Sequence, residues 1–332
     1  MANAVPMVEL WRGGMLESSH SGHAVICGAD GEIVESWGDP AAVIFPRSSC
    51  KMLQALPLIE SGAAKAAGLR DAQLALSCAS HQGAAIHTDM VTRWLADIGM
   101  AEGDLRCGSH WPENIAARNG LVLVGDTPCQ IHNNCSGKHT GFLTLNQHLK
   151  GGSEYTEVDH PLQKAIRAVF EEVTGEDSPG YGIDGCSAPN FATSMHGLAR
   201  AMAFFASASD SGDLRRRAAH QLTRVMATYP ELIDGIGGAD TDLMQAMGGR
   251  VTTKGGADGV YIAIIPEKRL GIALKIMDGA ARAKEAAIAA LLVRVGMLDP
   301  AHPVARKRLG RDLHNWRGLR IGELRVAPGF AP

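Results

Sequence analysis

Two β-rich ribbons stand near opposite ends of this chain with a long helical stretch between them, and that arrangement limits the available folds more than any other feature. The first ribbon runs His23 to Cys27 and Glu32 to Trp37 around Ala29-Asp30-Gly31. Asp-Gly between apolar runs is a strong hairpin signal. A third extended run, Ala42 to Phe45, stops at Pro46. The second ribbon, Val260 to Ile265 and Leu270 to Met277, flanks Pro266-Glu267-Lys268-Arg269, and Leu319 to Val326 adds one more strand. From about Asp71 to Arg250 the pattern is mainly helical with glycine-rich interruptions, including Asp159 to Val173, Ala188 to Ser207 and Leu214 to Thr228. A helix from Ala280 to Val295 follows the second ribbon. Ribbons from both ends share one sheet only if the middle is an insertion. The reading is therefore an α/β (α+β) fold: a mainly antiparallel sheet built from both chain ends, flanked by helices, with an inserted, mostly helical lobe. Residues 1–332 read as a single unit, with 1–60 and 255–332 carrying the sheet and 61–254 the helical insertion.

Composition narrows the class of partner. A hydrophobic share of 45% and a net charge of −3 argue for a packed core rather than disorder. Thirty-two basic residues face 35 acidic ones, and Arg306-Lys307-Arg308 is the nearest thing to a basic run, so nucleic acid is not an expected partner. A small solute is. Glycine, 39 of 332 residues, is spread without a collagen-like period and calls for many tight turns. No segment stays apolar for the roughly 18 residues a membrane helix needs, and the first residues lack a signal-peptide pattern. The expectation is a cytoplasmic protein without a membrane partner. Seven cysteines, an odd number, fit free thiols or metal ligands better than a disulfide framework.

Three segments carry chemistry-bearing residues. In Ser48-Ser49-Cys50-Lys51, Ser48 and Lys51 are three positions apart, which puts both on one face of a helix. Met52, Leu53, Leu56, Leu58 and Ile59 give the apolar face of that helix, and the serine pair suits its start. A lysine can take a serine proton only when its amine is neutral, a state favoured by burial or nearby positive charge. The alternative is a capping serine beside a solvated lysine. Ser80, in Leu76-Ser77-Cys78-Ala79-Ser80-His81-Gln82-Gly83, and Lys254, in Thr252-Thr253-Lys254-Gly255-Gly256, form the second candidate. With Ser48 and Lys51 they are reminiscent of the Ser-x-x-Lys, second serine and Lys-Thr-Gly elements of penicillin-recognising serine hydrolases. They also read as helix-end polar groups and a loop charge.

The third segment is Cys135-Ser136-Gly137-Lys138-His139-Thr140-Gly141, with Cys186 further on in Gly182-Ile183-Asp184-Gly185-Cys186. A phosphate-loop reading of Gly137-Lys138 fails, because His132 stands where a glycine is needed and His139 where Ser or Thr is needed. Cysteines near a histidine and a carboxylate can hold zinc, or can be small buried side chains. Cys27, Cys78, Cys107 and Cys129 read as core residues. Asp184, between two glycines, reads as an exposed carboxylate that either holds a substrate ammonium or stabilises its turn. Arg47 is suited to binding a substrate carboxylate.

Taken together, these residues resemble the rhizobial-type, or class 3, L-asparaginases over most of the chain. The likeness rests on Pro46-Arg47-Ser48-Ser49-x-Lys51-Met52-Leu53-Gln54-Ala55-Leu56-Pro57, on Ser80-His81, on Asn133-Asn134-Cys135-Ser136-Gly137-Lys138-His139, on Asp184-Gly185-Cys186-x-x-Pro189 and on Lys254-Gly255-Gly256. It implies a fold like that of serine β-lactamases, transpeptidases and glutaminases, with two Ser-Lys tandems, Ser48 with Lys51 and Ser80 with Lys254. It implies a zinc site of Cys135, Lys138, Cys186 and water, with Arg47, His139 and Asp184 near substrate and metal, and a homodimer. Lysine ligates only as the neutral amine, so the metal must displace its proton.

The expected activity is hydrolysis of L-asparagine to ammonia and L-aspartate through an acyl-enzyme. Gly255 follows Lys254 where the lactamase-like triple has Thr or Ser, which argues against β-lactam recognition. Cys50 puts a thiol beside the expected nucleophile, leaving oxidation sensitivity or a minor cysteine role open. Two rivals remain in view: a serine acyl-hydrolase of another amide, ester or lactam, and a non-catalytic zinc or amino-acid binding protein.

Overall fold

A computed structural model describes residues 3–331. In chain order it runs β1 (Val5–Arg12), β2 (Met15–Cys27), β3 (Ile33–Trp37), β4 (Val43–Ile44), α1 (Lys51–Glu60), α2 (Ala63–Ala66), α3 (Asp71–Ser77) and α4 (Ala85–Asp97). There follow α5 (Ile115–Leu123), α6 (Ser136–Leu149), α7 (Pro161–Thr174), β5 (Tyr181–Ile183), β6 (Pro189–Phe191), β7 (Thr193–Ser194), α8 (Met195–Ala206), α9 (Leu214–Thr228), α10 (Pro230–Asp234) and α11 (Ala239–Ala246). The C-terminal part supplies β8 (Thr252–Gly255), β9 (Val260–Ile265), β10 (Leu270–Ile276), α12 (Ala281–Arg294), α13 (Pro303–Arg306), β11 (Asp312–His314) and β12 (Arg320–Val326).

The chain divides into two compact units. Of the described residues, the first unit, 3–49, 194–207 and 242–331, holds the sheet, in the order β11-β12-β1-β2-β10-β9-β8 with β3 also on β2. All its pairings are antiparallel. The two ends of the chain interleave, as the two ribbons require: β1 pairs with β12, Val8 opposite Val326, and β2 pairs with β10, Val25 opposite Ala273. Every residue of β9 is buried, because α8 and α12 both pack on the central strands. At Gly271, in β10, an added Cβ would lie 2.0 Å from the Ala203 backbone nitrogen of α8. Gly271→Ala is therefore expected to destabilise by about 1–3 kcal/mol through overpacking, read as a lower urea midpoint. An unchanged midpoint would mean that α8 does not press on this strand.

The second unit, residues 50–193 and 208–241, is helical. Its centre is α6, whose first 11 residues, Ser136 to Asn146, are all buried against α1, α3, α4 and α7. Sequence signals explain the surrounding helices. His160 caps α7 by accepting from Leu162 N, Pro161 opens it, and Gly175 closes it in the left-handed region. Asp213 caps α9 by accepting from Arg216 N. One expected helix is shorter than its pattern. Residues Pro189 to Ser194 are extended, with Phe191 opposite Tyr181, and α8 begins at Met195 behind a Ser194 cap. Among the described residues no helix is long and apolar enough to cross a membrane.

Candidate active site

Lys51 opens α1 after a 3-10 turn, Arg47–Cys50. The serine pair does not cap this helix: Cys50 holds the N-cap position without a side-chain bond, and Ser49 Oγ donates to Pro46 O at 2.7 Å. Lys51 is only 1% exposed, since α1 buries eight consecutive residues. Its amine reaches the loop after α3, where it meets Ala79 O and lies 3.0 Å from Ser80 Oγ. It also stands 3.2 Å from Cys135 Sγ, just before α6. A buried amine thus touches a half-buried serine hydroxyl, the contact needed for proton exchange between the two.

The Cys135 segment and the β5–β6 turn build a second cluster. Asn133 Oδ1 accepts from Cys135 N at 2.8 Å, while Asn133 Nδ2 donates to Cys107 O and Gly108 O. The turn carrying Cys186 is held by Asp184, which accepts from Gly185 N at 2.7 Å and Asn190 Nδ2 at 3.4 Å, and by Ser187 in the left-handed region (φ 70°). Asp184 is half-buried and serves its own turn, rather than projecting freely from it.

Lys138 Nζ lies 3.0 Å from Cys186 Sγ, and both are buried. A hydrogen bond from Cys135 to Cys186, against the opposing effect of burial and with help from Lys138 and His139, holds the Cys186 thiol well below its ordinary range. The same bond, with burial, holds Cys135 well above. Burial works to lower Lys138, but the charge of the Cys186 thiolate and its hydrogen bond outweigh it and keep the ammonium protonated. The resting arrangement is thus a thiol, a thiolate and an ammonium in contact.

His139 is kept neutral by burial. Tyr155 OH accepts from Arg106 N, so its own hydrogen goes to His139 Nδ1, 2.9 Å away, and the ring proton belongs on Nε2. The buried imidazole also bonds the Cys186 sulfur, and that bond and the Cys186 charge partly offset the effect of burial. Among the described residues no group of three His, Cys, Asp or Glu side chains is placed to hold a metal. The donor set here is instead two sulfurs and an amine, which fits a thiophilic cation such as zinc once Cys135 and Lys138 lose their protons.

In the sheet unit, Arg47 is ion-paired with Asp258, a partner 211 positions away that the sequence did not reveal. Both residues take left-handed backbone (φ 53°), a conformation costing about 1–2 kcal/mol for side-chain-bearing residues. Lys254, 1% exposed, donates to Gly255 O at 2.7 Å. Gly256 has a steric reason: a Cβ there would lie 2.8 Å from Pro46 O and 3.2 Å from Ser49 N. The Lys-Gly-Gly element therefore packs directly against the turn bearing the half-buried Ser48.

Cys50 is pushed up to about 12 by burial, partly offset by Lys138, so it stays a neutral thiol rather than a second nucleophile. Cys27 and Cys107 are likewise pushed up to about 12 by burial. Cys78 is buried and Cys129 half-exposed. Tyr155, Asn133 and Asn190 support the cluster, and the sequence reading gave none of them a role. Asn133 lies in the Asn-Asn-Cys run, a detectable signal; Tyr155 stands in an unpatterned loop.

Comparison with solved structures finds distant likenesses. A β-lactamase, Mb2281c from Mycobacterium bovis, is 13% identical, with 83% of this chain and 95% of that one covered at a TM-score of 0.48. Mglu in its native form is 13% identical, covering 85% and 66% at 0.44. An octameric penicillin-binding protein homologue from Pyrococcus abyssi is 12% identical, covering 90% and 80% at 0.35. No curated protein matches the sequence. The model of the L-asparaginase II family matches residues 8–326, nearly end to end and across every segment described above. The chain belongs to the L-asparaginase II family.

Proposed function

We propose that this protein is an L-asparagine amidohydrolase of the rhizobial type, working through a Ser-Lys acyl-enzyme. Family membership supports an amidohydrolase. The observation that carries the Ser-Lys reading is the buried Lys51 amine 3.0 Å from Ser80 Oγ. In the proposed reaction, Ser48 Oγ attacks the side-chain amide carbon while neutral Lys51 takes its proton. The nitrogen is protonated by way of Ser80 and Lys254 and leaves as ammonia. Water then cleaves the aspartyl ester, releasing L-aspartate and restoring Ser48. Arg47, His139 and Asp184 are proposed to orient the substrate.

The proposed resident metal is zinc, held by Cys135, Lys138 and Cys186. Bound there it would supply a fixed positive charge that positions substrate. Two of those ligands are protonated without metal, so uptake is expected to release about two protons per zinc near neutral pH, and zinc affinity is expected to rise with pH. Proton release followed during zinc titration checks this; none would contradict the ligand set. Cys135→Ala is expected to lower bound zinc and weaken asparagine binding, and unchanged zinc stoichiometry would remove the thiol from the ligand set.

We further propose a cytoplasmic homodimer. Helix α5 supports the dimer: it buries none of its residues and exposes Ile115, Val122 and Leu123, an apolar surface of the sort that marks contacts. The deciding experiment for function offers purified protein asparagine, glutamine and a chromogenic lactam side by side, with and without a chelator. Ammonia from asparagine is the expected result. Lactam turnover without ammonia would favour another serine acyl-hydrolase, and asparagine binding without ammonia a binding protein.

A further inference from the structure

The loop bearing Ser80 and the segment bearing Cys135 meet through one imidazole. His81 is 1% exposed, and its Nε2 lies 2.9 Å from Ser136 Oγ, 55 positions along the chain. Gly83 N donates to His81 Nδ1 at 3.1 Å. An accepting Nδ1 fixes the proton of the neutral ring on Nε2, so Nε2–H donates to Ser136 Oγ. The Ser136 hydroxyl in turn donates to Ile131 O at 2.8 Å. Main-chain bonds run alongside: His81 N donates to Asn134 O at 3.1 Å, and Ser80 N to Ile233 O at 2.9 Å. The ring also stacks on His87, centroids 4.8 Å apart and planes 9° from parallel, and His87 Nε2 is anchored on Glu231 O at 2.9 Å.

These bonds form a strut parallel to another. Lys51 Nζ spans Ser80 Oγ and Cys135 Sγ; His81, the residue after Ser80, spans to Ser136, the residue after Cys135. At the next position Gly137 lets α6 press on the end of α3, since a Cβ there would lie 2.5 Å from Leu76 O. We infer that His81 is a positioning residue, whose bond to Ser136 holds Ser80 Oγ in register with the Lys51 amine. It rests on the Ser-Lys hydrolase reading and adds a residue to it. The role needs the Nε2 donor in particular, since the Nδ1 bond stays within the Ser80 loop and ties it to nothing else.

The test compares His81→Gln, whose amide nitrogen reaches the place of Nε2, with His81→Asn, whose amide oxygen takes the place of Nδ1 and keeps only the Gly83 bond. Ser136→Ala, which removes the acceptor and leaves the imidazole, is a third variant that decides the matter if an imidazole replacement does not fold. The readouts are the rate of serine labelling by a fluorophosphonate probe, kcat and KM for asparagine, and the thermal midpoint. Displacement of a catalytic group by about 1 Å costs on the order of a hundredfold in rate. His81→Asn and Ser136→Ala are expected to lose about that much in labelling and kcat with KM little changed, and His81→Gln to recover to within about tenfold of the wild type. Equal rates in the Gln and Asn variants, or losses that follow the thermal midpoint alone, would overturn the role. Wild-type labelling without ammonia release would count against asparagine as substrate, and the labelling comparison would still decide the role of His81.

Discussion

Ser48→Ala is expected to abolish ammonia release from asparagine, with a fall in kcat of about 10⁴-fold or more, as when a covalent nucleophile is removed. The fold is expected to survive. Ser48 is half-buried and Cys50, not a serine, holds the N-cap of α1. Even a capping serine contributes only about 1 kcal/mol. The thermal midpoint should therefore stay close to that of the wild type while turnover disappears. Retained activity would remove Ser48 as nucleophile and point to Ser80, the hydroxyl that Lys51 contacts at 3.0 Å.

Lys51→Met is expected to have an effect of similar size. The thioether fills most of the volume of the buried lysine stem, so the core of α1 stays packed, while the proton acceptor is gone. A loss of about 10³-fold in kcat is expected, within the range of general base catalysis. The wild-type rate should rise from mildly acidic pH towards pH 9, because the active form carries a neutral lysine and the protonated form does not. The residual rate of the variant should lose that dependence. The sign would be reversed for a mechanism needing the ammonium as an acid, so a wild-type rate falling over this range would exclude Lys51 as base. Cys50 adds no competing titration, since burial holds its thiol near 12.

What the sequence made legible was whatever local pattern encodes. The hairpin of β2 and β3 follows from apolar runs on either side of Asp30-Gly31, and β9 and β10 from β-rich runs, unbroken in β9 and interrupted by Lys275 in β10, that two flanking helices bury. Helix α9 spans the residues its periodicity marks. Strand β1 and the start of β2 went unread. There Glu17 and Ser19 are exposed and give no apolar alternation, and the other edge of β1 pairs with β12, more than 300 residues away. The extended run before α8 was hidden because its neighbours are helix formers and only the opposite strand decides its state.

The site divides in the same way. Residue types and the Ser-x-x-Lys spacing were visible, whereas partners distant in sequence were not. Lys51 meets Ser80 across 29 positions, Arg47 meets Asp258 across 211, and the thiolate of Cys186 depends on Cys135 and on Lys138, 48 positions before it. Ionisation of a buried group is set by such neighbours rather than by its own type.

The most direct measurement is rapid acid quench of the enzyme during asparagine turnover, followed by peptide mapping for an aspartyl ester. The predicted result is an ester on Ser48 that forms and decays fast enough to carry the rate of ammonia release. Ammonia released at full rate with no ester on any serine, or with the ester on a residue other than Ser48, would contradict it.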